Sequence, residues 1–271
     1  MVITTTFTDR RERGVSWRET GRPVGPTAVF VHGLGGRRDN WDLQLGSLGE
    51  TRRCCAVDLP GYGSSEGRPG SLPEIAARVA SWVTQLDEGP VDLVGLSFGG
   101  MVAQHLALDH PHLVRSLALL DTSPAFGLDG VTTPEDWLAS RIDAIRDPDP
   151  SAPSIEAVVA GLVGTDAGED VRSLMVESMR AVPAATLEAA CTALIAHDTR
   201  DRLHEIVVPV LVMVGEQDTE TPPSYAEAIA ARIDGAQLVV VPGAGHLLNL
   251  EAPEVVNDLL RSHWQATEEA A

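Results

Sequence analysis

The sequence predicts an α/β protein: a mostly parallel eight-stranded sheet flanked by helices, with a helical cap inserted after the sixth strand. Three observations carry this. Short β-branched apolar runs alternate with segments of helical spacing. The alternation stops between Ser123 and about Arg202, where helical segments are broken by Pro134, Pro148, Pro150, Pro153 and Pro183, and then resumes. A Gly-x-Ser-x-Gly turn, Gly95-Leu96-Ser97-Phe98-Gly99, joins an apolar run directly to a helical pattern.

Residues 2–7 and 14–18 read as strands around a charged turn at 8–13. Residues 27–32 form a continuous apolar run ending in a glycine-rich turn, the mark of a strand buried on both faces. A fourth strand, 52–57, ends in Asp58-Leu59-Pro60-Gly61-Tyr62-Gly63-Ser64-Ser65, a loop by its density of turn residues. Leu72, Ile75, Ala76, Val79, Trp82, Val83 and Leu86 share one face of a helix over 72–86. The strand 91–94 feeds the turn at Ser97, a helix follows at 100–108, and 113–120 is the sixth strand. After the cap come a strand at 207–214, a helix at 224–233, a strand at 238–241 and a helix at 251–264. The acidic tail 268–271 is expected to fray. The division is therefore core at 1–122, cap at 123–203 and core again at 204–271.

Composition narrows the function classes. The formal net charge is −19, and every basic side chain other than histidine is arginine. A field this negative disfavours nucleic acid and anionic membranes as partners. No apolar stretch approaches the ~20 residues of a membrane-spanning helix. Residues 1–13 carry no apolar core followed by a small-residue cleavage site, so a cytoplasmic location is expected. Cys54, Cys55 and Cys191 have neither disulfide nor metal spacing and read as small buried hydrophobes, the first two on opposite faces of a strand. No histidine has metal-ligand spacing, so no metal is expected.

The serine turn points to chemistry. A chain that reverses between two glycines holds its serine in a strained conformation with the hydroxyl pushed outward. An alkyl hydroxyl needs a base within hydrogen-bond reach, and the base needs an orienting acid. His246, in Gly243-Ala244-Gly245-His246, follows one strand; Asp218, in Gly215-Glu216-Gln217-Asp218, follows another. Loops at the carboxyl ends of parallel strands converge. Ser97, Asp218 and His246 are therefore expected to meet, with Asp121, at the end of the sixth strand, as the rival acid. His32-Gly33-Leu34-Gly35-Gly36 follows a strand and exposes backbone N–H groups; the amides of Leu34 and Phe98 are assigned as oxyanion donors. His32 is expected to brace that loop.

With these pieces in this order, the chain resembles the α/β-hydrolase superfamily from residue 27 to about 264. Asp58-Leu59-Pro60-Gly61-Tyr62-Gly63-Ser64-Ser65 resembles its Asp-x-x-Gly-x-Gly-x-Ser loop. Gly245-His246-Leu247-Leu248-Asn249-Leu250-Glu251-Ala252-Pro253 resembles its histidine loop and last helix. Residues 186–202 and 215–223 are similar to 3-oxoadipate enol-lactonases and related carboxylesterases. Ser97 excludes the relatives that place aspartate at this turn. The resemblance implies a serine hydrolase of a small ester or lactone, working as a monomer or homodimer without a cofactor. The same three residues could also serve C–C cleavage or peroxide chemistry, or the fold could have been kept by a non-hydrolytic protein.

The cap is expected to supply the pocket. Trp137 and Arg141 lie four apart on one helix face and suit a planar substrate bearing a carboxylate. Alternatively, Trp137 packs on the core and Arg141 pairs with Asp143 or Glu135. Met175 and Met179, also four apart, either line the pocket or pack the cap onto the core.

Overall fold

The computed structural model describes residues 6–22, 24–86, 89–146 and 154–270, with backbone alone for 143–146. Prolines 148, 150 and 153, the side chain of Asp143 and most of the strand expected at 2–7 lie outside the described residues. Eight strands are described: β1 (Thr8–Glu12), β2 (Val15–Thr20), β3 (Ala28–Val31), β4 (Cys54–Val57), β5 (Val91–Leu96), β6 (Val114–Leu120), β7 (Val210–Gly215) and β8 (Gln237–Val241). They form one sheet in the order β1-β2-β4-β3-β5-β6-β7-β8. β2 is antiparallel to both its neighbours and every later pairing is parallel.

Strand alternation splits the core into two layers. Val29, Val31, Cys55, Leu93, Leu117 and Val212 face one layer; Ala28, Phe30, Cys54, Val94, Ala118 and Leu211 face the other. The first is covered by α2 (Leu72–Leu86) and α3 (Phe98–Asp109). The second is covered by α1 (Asp42–Leu48) and α10 (Pro253–Glu269), whose Val256, Leu260 and Trp264 recur at helical spacing. The three cysteines are buried, and none forms a disulfide among the described residues.

The cap follows β6 as α4 (Pro134–Arg146), α5 (Ile155–Leu162), α6 (Glu169–Ala181) and α7 (Ala184–Ile195). Its two ends meet. Ala125 bridges Asp198, the Phe126 N–H donates to the His197 carbonyl (3.0 Å), and the Thr199 N–H donates to the Pro124 carbonyl (2.8 Å). Gln104 of α3 ties this neck to the core, donating to the Ser123 carbonyl (3.0 Å) and accepting from the Thr199 hydroxyl (2.6 Å). Beyond the neck, α8 (Pro223–Ala230) and the short α9 (Leu248–Glu251) complete the fold.

Three expectations are corrected. Residues 8–12 are an edge strand, and the turn is confined to Arg13-Gly14. The charges of that strand pair across to β2, Arg10 with Glu19 and Arg18 with Asp9. The C-terminal tail does not fray from 268: α10 continues through Glu269, and Glu268 pairs with Arg52 (3.2 Å). A helix at 42–48, preceded by a single turn of 3₁₀ helix at Arg38–Trp41, stands where no element was expected. Among the described residues no helix is long and apolar enough to cross a membrane.

Candidate active site

β5 runs into α3 through Ser97, whose backbone sits at φ 52°, ψ −117°, a conformation that L-residues avoid. Two glycines make the turn possible. A Cβ on Gly95 would come within 2.4 Å of the Gly99 carbonyl, and one on Gly99 within 2.2 Å of the Val31 carbonyl. The Ser97 N–H donates to the Leu120 carbonyl (2.9 Å) and the Thr122 hydroxyl to the Ser97 carbonyl (2.7 Å), so β6 helps hold the strained residue.

The loops after β7 and β8 bring the other two groups to it. His246 Nε2 lies 2.9 Å from Ser97 Oγ, and His246 Nδ1 lies 2.9 Å from Asp218 Oδ2. With Nδ1–H donating to the carboxylate, Nε2 is free to accept the serine proton. Asp218 is fixed by its own loop: Oδ1 accepts the Glu220 N–H (2.8 Å) and the Thr221 N–H (3.0 Å), and Oδ2 accepts the Thr221 hydroxyl (2.8 Å). Thr221 was not singled out from sequence. The signal was there, because an aspartate followed closely by threonine before a helix favours an Asx-type turn.

Burial and pairing set the charges. Burial works against the His246 cation, but the facing Asp218 carboxylate outweighs it and lifts the imidazole above its ordinary value. Burial likewise works against the Asp218 anion; the imidazole and the Thr221 hydrogen bonds outweigh it and hold the carboxyl below the usual range. Asp121 differs. It is completely buried at φ 41°, its Oδ1 accepts the Gly215 N–H (2.9 Å), and its Oδ2 accepts the Leu248 N–H (3.0 Å). It thus spans the start of the acid loop and the end of the histidine loop. Burial, and then the Asp218 charge, push its carboxyl well above the usual range.

The loop after β3 lies beside the serine: a Cβ on Gly33 would sit 3.4 Å from Ser97 Cβ. His32 Nδ1–H donates to the Gly33 carbonyl (2.9 Å), and Nε2 accepts the Leu59 N–H (3.1 Å). Both ring nitrogens are used, and burial lowers the imidazole's pKa, so His32 is a neutral brace. Among the described residues neither the Leu34 nor the Phe98 N–H donates to a backbone acceptor outside the regular elements. The cap bears on this loop through α6. The Asn40 Nδ2 donates to Ser178 Oγ (2.9 Å), and a Cβ on Gly35 would come within 2.8 Å of Met179 Cγ.

The cap also touches the histidine loop. The His246 N–H donates to the Leu162 carbonyl (2.7 Å). One Glu251 carboxylate gathers three amides, Gly164 (2.7 Å), Gly245 (3.0 Å) and Leu247 (2.9 Å), the last two flanking His246.

Between cap and sheet lies a cavity of about 450 Å³, lined by Ser97, His246, Leu34, Trp137, Arg141 and Met175 among others. Met175 lines it and also packs with Val159, Leu247 and Leu250, so its two readings coexist. Trp137 lies edge-on to Phe126, with ring centroids 5.6 Å apart. Arg141 reaches the cavity with its guanidinium held by Glu220, at 2.7 Å and 2.6 Å from the two carboxylate oxygens.

This architecture and this array of serine, histidine and aspartate at the carboxyl edge define a hydrolase class, and the chain belongs to the alpha/beta hydrolase family, whose sequence profile matches residues 28–259. It is 32% identical over 255 residues, 90% of this chain and 96% of the relative, to the pimeloyl-(acyl-carrier protein) methyl ester esterase of Neisseria meningitidis serogroup B. Among solved structures, a thermophilic esterase from Thermogutta terrifontis superposes with a TM-score of 0.83 at 27% identity, covering 97% of this chain and 99% of that one. The enol-lactonase from Burkholderia xenovorans LB400 gives 0.84 at 23% identity, covering 95% and 100%, a likeness of fold alone.

Proposed function

We propose that this protein is a serine hydrolase of small carboxylic esters or lactones, with Ser97 as nucleophile, His246 as base and Asp218 as orienting acid. Ser97 Oγ attacks the acyl carbon as His246 Nε2 takes its proton. The carbonyl oxygen becomes an oxyanion between the Leu34 and Phe98 amides, where each donor is worth ~2.7–4 kcal/mol. The tetrahedral adduct collapses; His246 returns the proton to the leaving alkoxide, and the acyl group stays on Ser97. Water then attacks the acyl carbon, His246 takes its proton, and the second collapse releases the acid and restores the serine hydroxyl. Asp218 holds His246 in the productive tautomer and stabilises the imidazolium throughout.

The observation that supports this most is the unbroken relay, 2.9 Å at each step, from Ser97 through His246 to Asp218. The esterase relative in Neisseria supports the ester class. The test is a fluorophosphonate label followed by a panel of p-nitrophenyl esters and lactones. The wild type is expected to label at Ser97 and to hydrolyse members of the panel, while Ser97→Ala does neither. A folded wild type that neither labels nor turns over any ester would refute the proposal.

A further inference from the structure

The cavity between cap and sheet is lined in part by an ion pair, Arg141 with Glu220. Among the described lining residues Arg141 is the one arginine, and its Nη2 donates to Glu220. Glu220 takes it with both carboxylate oxygens, at 2.7 Å and 2.6 Å. The Glu220 N–H donates to Asp218 Oδ1 (2.8 Å), so its backbone belongs to the turn that fixes the acid. On the other side, the guanidinium lies over Trp137, 5.6 Å from the ring centroid. An unbroken series of side chains, Phe126, Trp137, Arg141 and Glu220, therefore forms one wall from the neck of the cap to the acid loop.

With Arg141 cancelled, the wall offers no free positive charge. Asp129 lines the same cavity, and the Val131 and Thr132 amides and the Thr132 hydroxyl hold its carboxyl below the usual range. It adds a negative charge at the mouth. The remaining surface near the serine is largely apolar, including Leu34, Met101, Leu162, Met175 and Leu247. A substrate carboxylate entering here meets an arginine whose charge Glu220 already balances, so it gains little attraction from Arg141 and is repelled by Glu220.

We infer that the Arg141–Glu220 pair is a specificity device that admits uncharged esters or lactones and rejects those carrying a free carboxylate, with Glu220 as its discriminating residue. This rests on the hydrolase reading above. The sequence left Arg141 between holding a substrate carboxylate and pairing with Asp143 or Glu135; the partner found, Glu220, comes from the loop that carries Asp218.

The test compares two probes of similar length, p-nitrophenyl hexanoate and the mono-p-nitrophenyl ester of adipic acid, after subtraction of spontaneous hydrolysis. The wild type is expected to favour hexanoate by at least about tenfold in kcat/KM. Glu220→Gln should raise the adipate-to-hexanoate ratio about tenfold, the effect of one unit charge ~6 Å away at an effective dielectric of ~40. Arg141→Gln should move the ratio the opposite way, and the double variant should lose the gain. A wild type that takes both probes equally would overturn the inference. So would a ratio unmoved by Glu220→Gln, or shifts of the same sign in both single variants. A folded wild type that cleaves neither probe, and whose Ser97 resists the fluorophosphonate, fails at the hydrolase reading instead.

Discussion

Asp218 and Asp121 end neighbouring strands, yet their partners assign them different work. Asp218 accepts from an imidazole, whereas the Asp121 carboxyl accepts from the Gly215 and Leu248 backbone amides. Asp218→Asn removes the charge that orients His246 and should cut kcat by about 10³–10⁴-fold. Asp121→Asn puts an amide against one of two N–H donors; it should lower the melting midpoint while reducing kcat by less than about tenfold. Steady-state kinetics with thermal melts on both variants checks the ranking, and the reverse order would move the acid to Asp121. The pH profile follows from the same pair. In the proposed mechanism His246 works only when neutral, and Asp218 raises the imidazole's pKa, so kcat/KM should rise with pH to a plateau on the alkaline side of 6.5, the ordinary imidazole value. In Asp218→Asn that rising limb should move to lower pH as the plateau falls. A limb that stays in place would separate it from the His246–Asp218 pair.

At the scale of elements, the loop that carries His246 is held by the cap as well as by the sheet. Glu251 sits at the junction, accepting amides on both sides of His246 and one from the cap. Glu251→Ala should cost about 2 kcal/mol of stability and lower kcat more than it changes KM, because the histidine rather than the pocket loses its support. Parallel denaturation and kinetics would read both, and a pure KM effect would contradict it. The sequence revealed elements to the extent that their burial is one-sided or complete. The runs that became β3 to β7 were legible because strands buried on both faces admit almost nothing but apolar residues. β1 was not, because Thr-Asp-Arg-Arg-Glu on an exposed edge is polar throughout, and what holds it is the backbone ladder to β2 with charge pairs across it. The turn at Ser97 was legible because only glycine fits at positions 95 and 99. Glu220 beside Arg141 was not, since two residues 79 apart in the chain announce nothing about each other locally.

For the whole molecule, the end of the sheet opposite Ser97 has a fastening of its own. Asp92, at the start of β5, is fully buried and accepts from Arg52 and Arg115 at 2.5 Å each and from Ser116 at 2.6 Å. Arg52 in turn lies over Trp264, 4.1 Å from the ring centroid, which ties α10 to the sheet. Removing one partner of such a network strands the others. Asp92→Ala should cost about 3 kcal/mol and lower the thermal midpoint by roughly 6–10 °C, while activity per folded molecule holds; calorimetry with active-site titration would check both halves. The meeting of the cap's two ends at Ala125 and Asp198 has a wider consequence. A segment that departs from and returns to the same doorway can be lengthened, shortened or exchanged without breaking the path of the chain beneath it. Under the proposed function, selectivity and reactivity would then fall to separable stretches of polypeptide, and new substrate preferences could arise by grafting a different roof onto an unaltered floor.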